Sequence, residues 1–366
     1  MKKLLVVAAL MAATPAAMAS KARVAALADS RQIVDIQTAF DRPYQFMALG
    51  SLATIEWGDN YAAWGAANAT AQTLPAHAEG GFLMKHDDMA YGAYLGRRSG
   101  AFNNAVLAGI SAGLNADALL EQNPINVFYA SKMGEWTWGV NVKYSNGKND
   151  TVDAKSNSAG LSLGAAYGDW EFEIVQGLTA KSEYGANSVE SKGMTEVGVG
   201  YKINENMEAY AQYGMVKADA DIGGTSSTVL DATAYEVGFV NTFIKNDEAN
   251  FFYGIAYNSN KIEDSSETTT LPVWMGVEAN ATSWMVFRAS IKQSILLNSE
   301  KDISGGANDG DVEDVDSTTF AGGVGIKLGK GMLDATFGTG TAGHLSFSDG
   351  TAGNQFLSTV AYTYNF

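Results

Sequence analysis

Thr359-Val360-Ala361-Tyr362-Thr363-Tyr364-Asn365-Phe366 closes the chain. Extended back to Asn354 and read in steps of two, Phe356, Val360, Tyr362, Tyr364 and Phe366 share one face, while Leu357, Thr359, Ala361, Thr363 and Asn365 share the other. Successive strand side chains point to opposite faces, so this is a strand with one apolar, aromatic face and one largely small and polar face. In water, an edge strand this long and greasy would template aggregation. A bilayer against the aromatic face and a neighbour strand against the open edge remove the hazard together.

The same alternation recurs upstream. From Trp136 to Ser145, Trp136, Trp138, Val140, Val142 and Tyr144 alternate with Thr137, Gly139, Asn141, Lys143 and Ser145, with aromatics at the ends and aliphatics between. That is the layout of interface girdles around a lipid band. Further segments follow the rule, among them Trp170, Phe172 and Ile174; Tyr235, Val237 and Phe239; and Met285, Phe287, Ala289 and Ile291. Gly80 to Lys85 and Ile125 to Lys132 alternate poorly. The joins alternate between short, such as Gly168-Asp169 and Leu328 to Gly331, and long and polar, near 58–79, 98–124, 146–157, 179–192, 217–231, 259–270, 298–316 and 341–353. Short turns on one side and long loops on the other predict an all-β fold: a single transmembrane antiparallel up-and-down β-barrel of sixteen strands, with fourteen the alternative. The first strand, Phe46 to Trp57, is expected to close against the last.

With these features, the last eight residues resemble the C-terminal signal of Gram-negative outer-membrane β-barrel porins, with Ala361 where that pattern usually has Gly. The resemblance implies an assembly signal at Tyr362, Tyr364 and Phe366, read by the barrel-assembly machinery. It also implies residence in the outer membrane among lipid and lipopolysaccharide, and a homotrimer is one expectation for such barrels. Lys2 and Lys3, the apolar run Leu4 to Ala13 and Ala17-Met18-Ala19 have the anatomy of a signal peptide, cleaved after Ala19. Three segments result: 1–19 as signal peptide, 20–45 as a periplasmic N-terminal extension with Ile33, Ile36 and Phe40 on one face of a short helix, and 46–366 as the barrel.

Net charge of −16 speaks against nucleic acid as a partner, and with no Cys there is neither disulfide nor thiol chemistry. Strand parity puts Lys143, Glu173, Glu196, Glu208, Tyr210, Gln212, Glu236, Arg288, Lys292 and Asp334 on the inward face, together with Lys202, Glu278 and Lys327. Arg or Lys on the lipid face at mid-bilayer would cost about 2–4 kcal/mol each, so their consistent sidedness is informative. A barrel of this width is wide enough for a water channel, which points to passive diffusion of small hydrophilic solutes and ions with mild cation preference. The alternatives are a plugged transporter of the fatty-acid-channel type, its plug drawn from 20–45, and a structural or adhesive surface protein. The stretch Ser99 to Gln122, with Val106, Leu107, Ile110, Leu114 and Leu119, is too apolar for a solvated loop. It either folds into the barrel mouth, caps it or meets a neighbour.

Asp309, Asp311, Glu313 and Asp314 form an acidic cluster that suits a divalent ion, but without EF-hand spacing a solvated loop is the plainer reading. Gly160-Leu161-Ser162-Leu163-Gly164 fits the G-x-S-x-G expression without the strand-to-helix elbow that motif needs. No cofactor motif and no catalytic constellation are expected.

Overall fold

The computed structural model describes residues 20–58, 77–115, 117–246, 248–303, 311–313, 318–339 and 359–366. The expected signal peptide, Asp309 and Asp314 lie outside them; the backbone of Asp311 and Glu313 is described, their side chains are not.

The strands are β1 (Leu52–Gly58), β2 (His77–His86), β3 (Met89–Leu95), β4 (Ile125–Met133), β5 (Trp136–Asn149), β6 (Ala154–Tyr167), β7 (Trp170–Tyr184), β8 (Asn187–Asn204), β9 (Met207–Ile222), β10 (Thr225–Lys245), β11 (Ala249–Ile262), β12 (Ser266–Asn280), β13 (Met285–Asp302), β14 (Asp311–Glu313), β15 (Thr319–Leu328), β16 (Gly331–Thr339) and β17 (Thr359–Asn365). Each pairs antiparallel with its neighbour in sequence, except that β13 pairs directly with β15 while the three-residue β14 pairs with Ser299–Lys301 near the far end of β13. β1 pairs with β2 on one side and β17 on the other, Leu52 opposite Asn365 and Gly58 opposite Thr359, so the wall closes. Sixteen strands make the barrel. The last strand meets the first, as the terminal segment requires.

Parity sorts the two faces. Ile55, Trp57, Val142, Phe172, Ile174, Val237 and Phe287 are exposed on the outside, while Thr54, Glu56, Asn141, Glu171, Glu173 and Arg288 are buried on the inside. Stacked or tilted ring pairs, Trp136 with Tyr167 and Trp170 with Tyr201, each at 4.7 Å, ring the short-turn end. From Trp136 to Tyr144 is about 27 Å along a strand, or about 20 Å along the normal at a tilt near 40°, on the scale of the ~25 Å apolar band. This is the architecture of an outer-membrane barrel. No described helix is long and apolar enough to cross a membrane.

Three expectations need correction. Four of the polar stretches read as loops, 146–157, 179–192, 217–231 and 259–270, are largely continuations of the ladder: β7 runs to Tyr184 and β8 restarts at Asn187, and β9 and β10 are separated only by Gly223 and Gly224. Beyond the lipid nothing demands an apolar face, so the strands keep pairing while the alternation fades; Gly185 and Gly223 supply the positive φ, +56° and +61°, at two tips. The first strand begins at Leu52 rather than Phe46, because Pro43–Met47 is a 3-10 helix and Phe46 is fully buried. Finally, residues 20–49 do not hang below the barrel; they contact inward-facing side chains around its circumference, which places them in the lumen.

Candidate functional site

The lumenal segment is built from short elements with local stops and starts. Helix α1 (Lys21–Ala26) is capped by Ser20, whose hydroxyl accepts from the Arg23 amide at 3.0 Å. Helix α2 (Ile36–Ala39) opens on a capping box: Asp35 accepts from the Gln37 amide at 3.1 Å, and its own amide donates to the Thr38 hydroxyl at 3.0 Å. Pro43 starts the 3-10 turn, where its missing N–H costs nothing. These caps satisfy the helix-end amides where little water could.

Two apolar clusters seat the segment on the wall. Ile36, Phe40, Phe46, Met47 and Leu49 pack on Leu52, Leu83, Ala90, Tyr94, Phe128 and Ala130, with Phe46 stacked on Phe128 at 4.0 Å. Across the lumen, Val24, Leu27 and Ile33 meet Tyr210, Val240, Phe252 and Trp274. Each such buried side chain contributes roughly 1.5–3 kcal/mol. The first cluster also explains why β2 and β4 alternate poorly: their inner faces meet apolar plug while their outer faces meet lipid. On β5 and β6 the approach is closer still. A Cβ at Gly139 would collide with the Pro43 carbonyl, and one at Gly164 would sit 2.9 Å from the Tyr44 ring, so the absence of a side chain admits the turn.

Charge fixes the segment's orientation. Arg31, 6% exposed, reaches Glu173 on β7 through Nη1 and Nη2 at 2.6 and 3.1 Å, and Glu208 on β9 through Nε at 2.8 Å. Arg23 forks onto Glu278 at 2.8 and 3.1 Å, and Arg288 bridges Glu278 and Asp334, both at 2.6 Å. Gln37 donates to Glu56 and Glu79 at 2.7 and 3.0 Å, and Tyr44 donates to Glu171 at 2.6 Å. Arg23 and Arg31 stay charged: burial acts against the cation, but their carboxylate partners more than compensate and hold both guanidiniums above the ordinary arginine range. Burial likewise raises the Tyr44 phenol, and Glu171 adds to the shift, so it remains a donor.

The inward residues expected from parity are therefore placed as follows. Glu173, Glu208, Arg288 and Asp334 are engaged in these ion pairs. Tyr210 donates to Glu236 and lies under the Arg31 guanidinium, 5.1 Å from ring to cation. Gln212 donates to Glu173 at 3.3 Å, and the Lys292 ammonium sits 5.7 Å from the Trp274 ring. Lys143 pairs with Glu121 at 2.8 Å and Glu196 borders a cavity. At the opposite end of the selected set, Tyr362, Tyr364 and Phe366 are exposed on the outer face.

The apolar stretch after β3 turns inward. Helix α3 (Gly100–Ser111) places Phe102, Ala105 and Val106 with Leu114 and Ala118 against Val189, Ala218 and Ala220 on β8 and β9, toward the hairpin end. Glu121 anchors the return, fully buried, accepting from the Ser99 amide, from Ser158 at 2.6 Å and from Lys143. Between plug and α3 lies a cavity of about 630 Å³, lined by Asp41, Arg97, Phe102, Lys143, Glu196 and Met194 among others. Ser162 lines it too, in the middle of β6. On its wall the ladder between β7 and β8 is interrupted: Gly177 pairs with Met194 and Lys181 with Glu190, leaving Leu178–Ala180 opposite Ser191–Gly193 without partners in that ladder.

Sequence reasoning missed Arg23, Arg31, Asp35, Gln37, Tyr44, Glu56, Glu79, Glu121 and Glu171. A signal was available for the wall: Gly139 and Gly164 fall on the inward face of otherwise regular strands, the mark of a backbone approached by another chain segment.

No protein-family model and no curated protein matches the chain. Among solved structures it is similar to OmpT, an outer membrane protein of Vibrio cholerae, at 12% identity over 87% of this chain and 96% of that one, with a TM-score of 0.38. It is also similar to the Ralstonia pickettii toluene transporter TbuX, at 11% identity over 95% and 98%, TM-score 0.42. A mutant of the Rh. blastica porin aligns at 11% identity over 87% and 98%, TM-score 0.37.

Proposed function

We propose that the protein is an outer-membrane transporter closed at rest by its own N-terminal segment, residues 20–49, rather than an open diffusion pore. The observation that carries this reading is the ring of contacts from Ser20 to Leu49 around the inner wall. The acids that would give an open pore its cation preference, Glu173, Glu208, Glu278 and Asp334, are each tied up in an ion pair with Arg23, Arg31 or Arg288. The solute class follows from the cavity. Its volume of about 630 Å³ lies within the range of small-molecule sites, and Phe102, Val175 and Met194 share its wall with Arg97, Lys143 and Glu196. A small amphipathic solute entering from the hairpin end suits that lining, and passage then requires the plug to shift.

Liposome swelling with a graded series of uncharged sugars tests the proposal. A plugged barrel gives rates near those of protein-free liposomes at every sugar size. Fast swelling that declines smoothly with sugar size would instead mark an open pore.

A further inference from the structure

Ser20 is fully buried, and its backbone nitrogen donates to Asp35 Oδ2 at 3.0 Å while its hydroxyl donates to Asp334 Oδ2 at 3.2 Å. The same position is the first residue after the expected signal cleavage site, Ala17-Met18-Ala19. The next amide, of Lys21, donates to Glu56 at 2.6 Å, and the Lys21 ammonium pairs with Glu79 at 2.6 Å. Around this point Arg23 meets Asp35 and Glu278, and Arg288 bridges Glu278 and Asp334. Arg23 gives its fork to Glu278 and reaches Asp35 only through Nη1 at 3.4 Å. With Ser20 nitrogen as a neutral amide, burial pushes the Asp35 carboxyl up to about 6 despite Arg23. Buried charge of one sign is costly unless a counter-charge reaches it.

We infer that signal cleavage before Ser20 supplies Asp35 with a close counter-charge: the new α-ammonium group docks on Asp35, beside Asp334, and locks the plug in the lumen. Uncleaved chain offers Asp35 only an amide N–H at that point, beside its long contact with Arg23. Removal of the leader and closure of the barrel are thereby coupled, so that only the processed chain is fully sealed. Asp35 serves two roles with separate oxygens, Oδ1 capping α2 through Gln37 and Oδ2 receiving Ser20.

This inference rests on the plugged reading, and the experiment separates the two. Protein purified from the outer membrane is first weighed intact and expected to begin at Ser20; another start overturns the inference. Its α-amine is then acylated in the folded barrel. Labelling at least about tenfold slower than in denatured protein is expected, since one factor of ten corresponds to 1.4 kcal/mol of docking. Next, chain refolded from Ser20 is compared in planar bilayers with chain carrying two extra glycines ahead of Ser20, and with Asp35→Asn, which keeps the helix cap but removes the anion. Each change is expected to raise the open fraction about tenfold or more, and the combination no further, because both remove one interaction. A glycine-extended chain as closed as the parent, or effects that multiply, overturns the inference. A parent that is closed but labels at the denatured rate sinks the ammonium lock alone, whereas a parent that conducts steadily sinks the plugged reading itself.

Discussion

Arg31→Met removes the cation that ties the plug to two strands at once and leaves Glu173 and Glu208 facing each other's charge without it. Both carboxylates are buried, at 3% and 8% exposure, so water cannot take over the lost role. Breaking a buried pair by deleting one partner costs about 3–5 kcal/mol. That equals the burial of about two apolar plug side chains at roughly 1.5–3 kcal/mol each. At 1.4 kcal/mol per factor of ten, the docked-to-undocked ratio is expected to fall by about two to three and a half orders of magnitude. Methionine retains most of the packing on Tyr210, so the loss reports charge and not bulk. Single-channel recording is the assay: closed barrels become flickering ones, while heat-modifiable gel mobility confirms that the wall is intact. Arg31→Lys keeps the charge without the planar fork and is expected to fall between the two. Adding Glu173→Gln and Glu208→Gln to Arg31→Met relieves the stranded charge and is expected to recover part of the closure. Quiet recordings from Arg31→Met, indistinguishable from the parent, would refute the reasoning.

Three further outcomes follow from particular contacts. Gly139→Val drives a side chain into the Pro43 carbonyl, and overpacking of this kind costs about 1–3 kcal/mol, so openings are expected to be about five- to a hundredfold more frequent than in the parent, with the barrel still folded. Met194→Trp enlarges an inward side chain on the cavity wall; uptake of small amphipathic solutes is expected to drop severalfold, as read by vesicle flux, with the yield of folded barrel unchanged. Phe366, whose amide donates to the Ser51 carbonyl at 3.2 Å and whose ring lies on the outer face, is expected on deletion to lower the yield of inserted barrel, judged by membrane fractionation, with unit conductance unchanged.

The wall is legible in the sequence because lipid imposes a period of two: Trp136, Trp138, Val140, Val142 and Tyr144 could not face water in a row. Turn lengths gave the strand sense, and the aromatic ending located the closing seam. The plug is illegible for an equally physical reason. Arg31 and Glu173 are 142 positions apart, and a buried arginine whose partners lie that far along the chain reads locally like any solvated charge. Helical spacing in the stretch after β3 marks an apolar face, but its partners, Val189, Ala218 and Ala220, sit on other strands. The hairpins above the membrane escape notice because alternation is a signature of the lipid boundary, not of the ladder itself. Inward glycines, and the two-sided apolar strands β2 and β4, are the marks the plug leaves on the wall sequence.

The most direct measurement is the steady conductance of the processed full-length chain against the same chain lacking residues 20–49, both inserted in planar bilayers. The full-length barrel is expected to remain closed apart from brief openings, and the shortened one to carry a large, steady current. A full-length barrel that already carries that current would contradict the plugged barrel.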